Sequence, residues 1–234
     1  MDVFEGKIWI SNKGLTETCI GVENGIIKAV KNNLKGDQNI RFEGIMLPSA
    51  LDMHVHFRDP GNTHKEDWKT GSESAACGGV TAVVDMPNTD PFTSDVSTFN
   101  QKETIASSKS IVDFGIGVNV EEGLTNKKWF DTIPSAFWKL YPYGISSEQY
   151  FSNAREVLEK TNKPLVIHCE HPDHMHNEPL NELADHTKNR HNAESKCLSS
   201  MPSSSNLHVA HLSTTDGLNN MPSLATSEVC PHHL

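Results

Sequence analysis

The chain has 234 residues, 36% hydrophobic and 21% charged, the balance of a soluble globular protein rather than a disordered one. Thirty acidic side chains against twenty Lys and Arg give a net charge of -10 with no basic block to offset it, which argues against nucleic acid or anionic lipid as the main partner. No apolar run approaches the roughly 18 residues of a membrane helix, and Met1-Asp2-Val3-Phe4-Glu5-Gly6 lacks the pattern of a secretory signal.

Residues 1–47 read as short strands and turns. Lys7-Ile8-Trp9-Ile10 is one strand candidate. Cys19 to Glu23, the turn Asn24-Gly25, then Ile26 to Val30 read as a hairpin, because Asn-Gly supplies the positive φ values of a type I′ turn. From Pro48 the texture changes. Apolar runs recur at 47–57, 80–86, 111–118, 136–141, 164–169, 207–212 and 226–230. Residues 64–77, closed by Gly78-Gly79, and residues 147–161 read as helices between them. Strands alternating with helices imply βα units and a parallel sheet. Seven such strands favour a (β/α)8 barrel over a doubly wound sheet. A closed barrel needs eight, so the expectation is a barrel incomplete at the C-terminus, truncated after about the seventh strand. The expected division is a small β-portion over 1–47 and a barrel over 48–234.

The five cysteines, Cys19, Cys77, Cys169, Cys197 and Cys230, form no CxxC pair. Neither a disulfide framework nor a zinc ribbon is indicated, and a reducing cytoplasm is the simplest compartment. The thirteen histidines are more telling. In Leu51-Asp52-Met53-His54-Val55-His56-Phe57-Arg58, alternation puts Asp52, His54, His56 and Arg58 on one strand face. Two imidazoles so placed can share one metal ion; two half-buried histidines at a strand end are the ordinary alternative. His168 and His211 also end apolar runs, and a barrel brings strand ends together. Glu170 shares a face with His168 and is placed either to orient it or in a simple salt bridge. Lys139 sits mid-strand in Ala136-Phe137-Trp138-Lys139-Leu140-Tyr141. A charged lysine there is costly. It is either a snorkelling edge residue or a neutral amine that has taken up CO2, giving a carbamate able to bridge two cations. Paired cations lower the pKa of water, so the expected chemistry is metal-assisted hydrolysis of an amide. Zinc suits the donor set, with manganese, cobalt or nickel as alternatives.

These residues resemble a known family. Asp52 to Gly61, Lys65-Glu66-Asp67, Gly71-Ser72, Ala75 to Thr81 and Asp85-Met86-Pro87-Asn88-Thr89-Asp90-Pro91 are similar to dihydroorotases of the amidohydrolase superfamily. The similarity continues through His168-Cys169-Glu170, His208 to Ser213 and Cys230 to Leu234, and the first 47 residues resemble that family's small β-sandwich portion. The resemblance implies reversible cyclisation of N-carbamoyl-L-aspartate to L-dihydroorotate in de novo pyrimidine synthesis. It implies two divalent ions, with His54 and His56 on one, His168 and His211 on the other, and carboxylated Lys139 bridging them. Arg58 and Asn88 would bind the small-molecule substrate, Arg58 by a two-pronged contact with its carboxylate. The ordinary alternatives are a rim salt bridge of Arg58 with Asp59 or Glu66, and turn chemistry for Asn88. The family's catalytic aspartate follows an eighth strand, so its counterpart is expected beyond Leu234. A homodimer is a family expectation. The competing readings are another cyclic amidase (allantoinase, hydantoinase or dihydropyrimidinase) and a catalytically inactive scaffold homologue.

Overall fold

The computed structural model describes residues 1–120, 129–175 and 183–233, the side chains of 183–191 excepted. The chain divides into two compact units, Met1–Ala50 and Leu51–Leu234.

In the first unit, β1 (Asp2–Ile10), β2 (Gly14–Glu23), β3 (Ile26–Lys31) and β4 (Gln38–Met46) form one sheet in the order β3-β2-β1-β4. Asn24 and Gly25 both have positive φ, at 51° and 75°, as the two-residue turn requires. The β1–β2 and β2–β3 pairs are antiparallel, and β4 runs parallel to β1. Val3, Ile8, Cys19 and Ile20 are its buried apolar side chains.

The second unit is built from parallel strands. They are β5 (Ala50–Val55, beginning at the boundary residue), β6 (Val80–Asp85), β7 (Asp113–Ile116), β8 (Val118–Asn119), β9 (Trp138–Leu140), β10 (Leu165–His168), β11 (Leu207–Ala210) and β12 (Thr226–Ser227). Their helices are α1 (Trp68–Cys77), α2 (Val96–Lys109), α3 (Trp129–Thr132), α4 (Ser147–Lys160), α5 (Leu183–Ser200) and α6 (Thr215–Asn219). Each of the seven apolar runs contributes to this sheet system. The third run is split at Gly117, where pairing passes from β6 to β9: Gly117 N donates to Asp85 O (2.9 Å) and Val118 N to Phe137 O (3.1 Å). The strands therefore follow one another in chain order, β5-β6-β7 and β8-β9-β10-β11-β12, as in a (β/α) barrel.

The first helix starts later than its sequence reading. Residues 64–67 are not helical; Asp67 caps α1 by accepting from Thr70 N (2.8 Å), which satisfies a donor left over in the first turn. Gly78 closes the helix and Gly79 follows at φ +80°. Ser146 caps α4 in the same way.

Strand alternation sorts the side chains. Trp138, Leu140, Leu165, Ile167, Leu207 and Val209 join Trp68, Phe99, Tyr150 and Val157 in the larger core. Val84, Met86, Phe137, Val166 and Ala210 form a second, smaller cluster on the other strand face. Leu51 and Met53 of β5 are about half exposed. The apolar face expected on that strand is thus buried only at its C-terminal end. There Val55 packs against the larger core, and Phe57 makes an edge contact with Trp68 at 5.1 Å between ring centroids.

A buried ion pair fixes that end. Lys102 of α2 lies 2.5 Å from Asp85, and neither side chain is exposed. Lys102 Nζ also donates to Met86 O (2.8 Å), and Asp85 Oδ1 accepts from Phe57 N (2.7 Å). Burial pushes the aspartate up and the lysine down, and their mutual attraction opposes both shifts. Removing one member strands the other. Lys102→Met is therefore expected to destabilise the protein by about 3–5 kcal/mol, measured by denaturant unfolding, and Lys102→Met combined with Asp85→Asn by less.

Candidate active site

The parallel register determines which side chains meet. Lys139 pairs with Asn119 on one side and with Val166 on the other, and Val166 pairs with His208. These residues occupy one row across four strands, on the face opposite the larger core. His168 ends β10 two residues beyond that row. His211 follows β11 with φ +40°, and Arg58 follows the β5 segment with φ +59°. Both are left-handed conformations that cost a side chain with a Cβ something to adopt.

The four histidines singled out from the sequence come together. His54 Nε2 and His56 Nε2 are 3.1 Å apart, as are His168 Nδ1 and His211 Nε2. Ring centroids run 5.0 Å from His56 to His54, 5.7 Å from His54 to His211 and 4.7 Å from His211 to His168. Lys139 is 1% exposed, with its Nζ 5.3 Å from the Tyr141 ring centroid.

Three of these imidazoles have their outer nitrogen occupied. His54 Nδ1 contacts the Glu228 carboxylate. His56 Nδ1 lies 2.7 Å from Asn88 Oδ1, and His168 Nε2 lies 2.9 Å from Glu170 Oε2 and 3.1 Å from the Tyr143 hydroxyl. Carboxylate and carboxamide oxygens accept, so the ring proton belongs on each outer nitrogen. The inner nitrogens of His54 and His56 then present lone pairs to each other, and His168 Nδ1 presents one to His211 Nε2. Facing lone pairs at 3.1 Å repel unless a cation lies between them. Nitrogens bound tetrahedrally to zinc at about 2.0–2.1 Å are separated by roughly 3.3–3.4 Å. The donor chemistry of the first pair and the spacing of both pairs therefore fit a metal ion. The pairs do not merge into one cage. Among the described residues, the only three or more His, Cys or carboxylate groups with ligand atoms all within 4.8 Å of one another are Cys230, His232 and His233. There, His233 Nδ1 already accepts from Cys230 N (3.3 Å).

Burial favours the neutral form of His56 and of Lys139. Burial lowers His56 to about 4, against the opposing hydrogen bond to Asn88 and aided by the charges of His54, Arg58 and Lys139. Burial lowers Lys139 to about 7, with Glu228 pulling it back up. Among the described residues its Nζ has no hydrogen-bond partner, and neither polar atom of the neighbouring Asn119 side chain has one. Buried polar atoms are ordinarily paired, so this row is shaped for an occupant. Glu228 is half-buried, which works against its charge; hydrogen bonds from His208 and His54, with their charges, nevertheless hold its carboxyl far below the usual range.

Arg58 is partly buried beside His56. The salt bridges considered for it are otherwise engaged: Asp59 pairs with Lys109 at 2.6 Å, and Glu66 accepts from Thr70. Among the described residues no carboxylate pairs with Arg58, which leaves its guanidinium available. Asn88 turns its Oδ1 to His56 Nδ1. Glu228 and Asn119 went unnoticed in the sequence. Glu228 shares an alternation face with Thr226 in the seventh run, which was the available signal.

The low His56 value has a consequence for the metal-free protein. The unfolded imidazole titrates near 6.5 and the folded one near 4, so between them the unfolded state binds the extra proton. Stability should be full above about pH 6.5 and fall as pH drops towards 4. An NMR titration of the His56 ring should give a midpoint at least one unit below an ordinary histidine.

Comparison with known proteins follows the same line. Residues 45–229 match the model of the Amidohydrolase family. The chain is 34% identical to a dihydroorotase of Methanosarcina acetivorans over 258 residues, covering 95% of this chain and 55% of the relative. It is 32% identical to a dihydroorotase of Pyrococcus abyssi over 244 residues, covering 99% of this chain and 56% of the relative. The chain thus spans about half the length of these curated relatives. Among solved structures, the L-hydantoinase (dihydropyrimidinase) of Arthrobacter aurescens superposes with a TM-score of 0.79 at 21% identity, covering 98% of this chain and 58% of that one. A D-hydantoinase gives 0.80 at 18% identity, covering 99% and 58%. The fold is thus the hydantoinase-like α/β fold with an N-terminal sheet, and the chain belongs to the Amidohydrolase family.

Proposed function

We propose that this chain supplies the N-terminal sheet and most of the metal-binding barrel of a dihydroorotase, interconverting L-dihydroorotate and N-carbamoyl-L-aspartate. The activity is proposed for the protein in which the chain is joined to the rest of its relatives' length. What carries the reading is the pairing of imidazole nitrogens, each pair 3.1 Å apart, beside a buried lysine amine with no hydrogen-bond partner among the described residues.

In this reading His54 and His56 hold one divalent ion and His168 and His211 a second, zinc being the ion an imidazole set fits best. Glu228, Asn88 and Glu170 fix the ring orientations through the outer nitrogens, as acceptors around metal-bound histidines do. Lys139, partly neutral near pH 7, would take up CO2 at Nζ with loss of a proton, and the resulting carbamate would supply oxygen donors for the ions. Bound ions lower the pKa of water and polarise the substrate carbonyl. Arg58 holds the substrate carboxylate and so orients the ring. Hydrolysis breaks the ring C–N bond: the carbonyl carbon gains the water oxygen and the ring nitrogen gains a proton. The proton carrier would be the aspartate that the resemblance places beyond Leu234. The proposed setting is a cytoplasmic enzyme, with a homodimer as the family's precedent. Among the described residues no helix is long and apolar enough to cross a membrane.

Turnover of dihydroorotate, hydantoin, dihydrouracil and allantoin by the full-length protein tests the substrate. Dihydroorotate should be preferred, and Arg58→Met should raise its KM most. Preference for hydantoin or dihydrouracil would favour the second reading, a hydantoinase, to which the solved structures give weight. Lys139→Ala should cost at least ~100-fold in metal affinity or turnover, with loss of the carbamate 13C signal from labelled bicarbonate. Full-length protein that binds no metal and turns over none of these substrates would mark an inactive homologue.

A further inference from the structure

Helix α5 carries a buried carboxylate that the reaction does not use. Glu194 is 3% exposed, and burial of a carboxylate is unfavourable unless its lone pairs are met. Here four donors meet them, all from two consecutive residues. Ser213 N and Oγ reach Glu194 Oε2 at 3.0 and 2.9 Å. Thr214 N and Oγ1 reach Oε1 at 2.9 and 2.5 Å. Those two residues lie immediately beyond His211-Leu212. On the preceding residue of the same helical turn, Ala193 O accepts from His171 N at 3.0 Å, three residues beyond His168. One turn of α5 therefore fastens both loops that leave the second histidine pair.

The fastening is specific in shape as well as in charge. Gly217 opens the turn after Thr214, its N donating to Thr214 Oγ1 at 2.8 Å. A Cβ at position 217 would fall deep inside the van der Waals radius of Glu194 Oε1 and also crowd Thr214 Oγ1. Only glycine lets this turn close over the carboxylate. The left-handed backbone of His211 is held between this anchor and the bond from Leu212 N to Glu228 O (2.9 Å).

We propose that Glu194 is a positioning residue for the second metal pair: through Ser213 and Thr214 it sets the place of the His211 imidazole against His168. The metal arm of the test rests on the function proposed above, and the geometric arm does not.

In the full-length protein, Glu194→Gln keeps the shape but offers one oxygen where two were used; Gly217→Ala keeps the carboxylate but displaces the loop. Both should remain folded by circular dichroism. In metal-free crystal structures of both variants the His168 Nδ1 to His211 Nε2 distance should grow beyond its wild-type value, while the His54–His56 spacing stays unchanged. On chelator titration, one of the two ions should dissociate ~10–100-fold more readily, and the other as in wild type. If the His211 ring keeps its place in both variants, the proposal is overturned, whether or not metal affinity changes. If the ring moves yet wild-type protein holds no metal, the positioning role stands and the dihydroorotase reading falls.

Discussion

The second unit depends on one constraint: parallel strands in fixed register deliver their inward side chains in level rows. Asn119, Lys139, Val166 and His208 stand in one row because each strand pairs with the next residue for residue. His168 arises one pleat beyond. A slip of one residue in β10 would turn His168 towards the helices and bring Ile167 inward. Register is pinned by the large apolar residues between the polar ones. Trp138, Leu140, Leu165 and Ile167 are each at most 2% exposed, and each full burial of such a side chain is worth about 1.5–3 kcal/mol. The core facing the helices thus holds the chemistry facing the interior.

Each element of the site is then fixed from outside itself. The first histidine pair stands at the end of a strand tied to Asp85 and Lys102, and the second at the ends of strands tied to α5. The outer nitrogens of His54, His56 and His168 are occupied by Glu228, Asn88 and Glu170. These contacts remove the choice of tautomer. What remains on the inner side is lone pairs and an amine that burial has brought to about 7.

Much of this was legible in the residues. Seven apolar runs announced seven strand positions, and the strand-end histidines do come together. The Asn24-Gly25 turn was readable because only that backbone suits a two-residue hairpin. The start of α1 was misread by four residues, although Asp67 followed by Thr70 spelled out a cap. Other features are invisible locally. Asn88 reads as a polar residue at a strand end; that its oxygen faces His56 depends on β5 and β6 lying side by side. Glu194 falls on the buried stripe of Cys197, Leu198 and Met201, but a carboxylate there gives no sign of its partners, and its donors come from a loop twenty residues on. Glu228 follows a strand of two residues, so its alternation with Thr226 is the whole of the local signal. The side chains of His186 and His191, and all of His176, read from the sequence as surface groups, lie outside the described residues.

The attachment of two loops to one turn of α5 also fixes that helix in phase. Each residue of an α-helix advances the side chain by about 100°. A single residue inserted between Ala193 and His211 within the helical stretch would swing its downstream positions around the axis while Ala193 and Glu194 kept theirs. The same insertion just upstream of Ala193 would rotate both attachment points together, away from the strand ends they serve. Length variation over this part of the chain is therefore expected to collect in the 201–206 connection, where an added residue changes no angle.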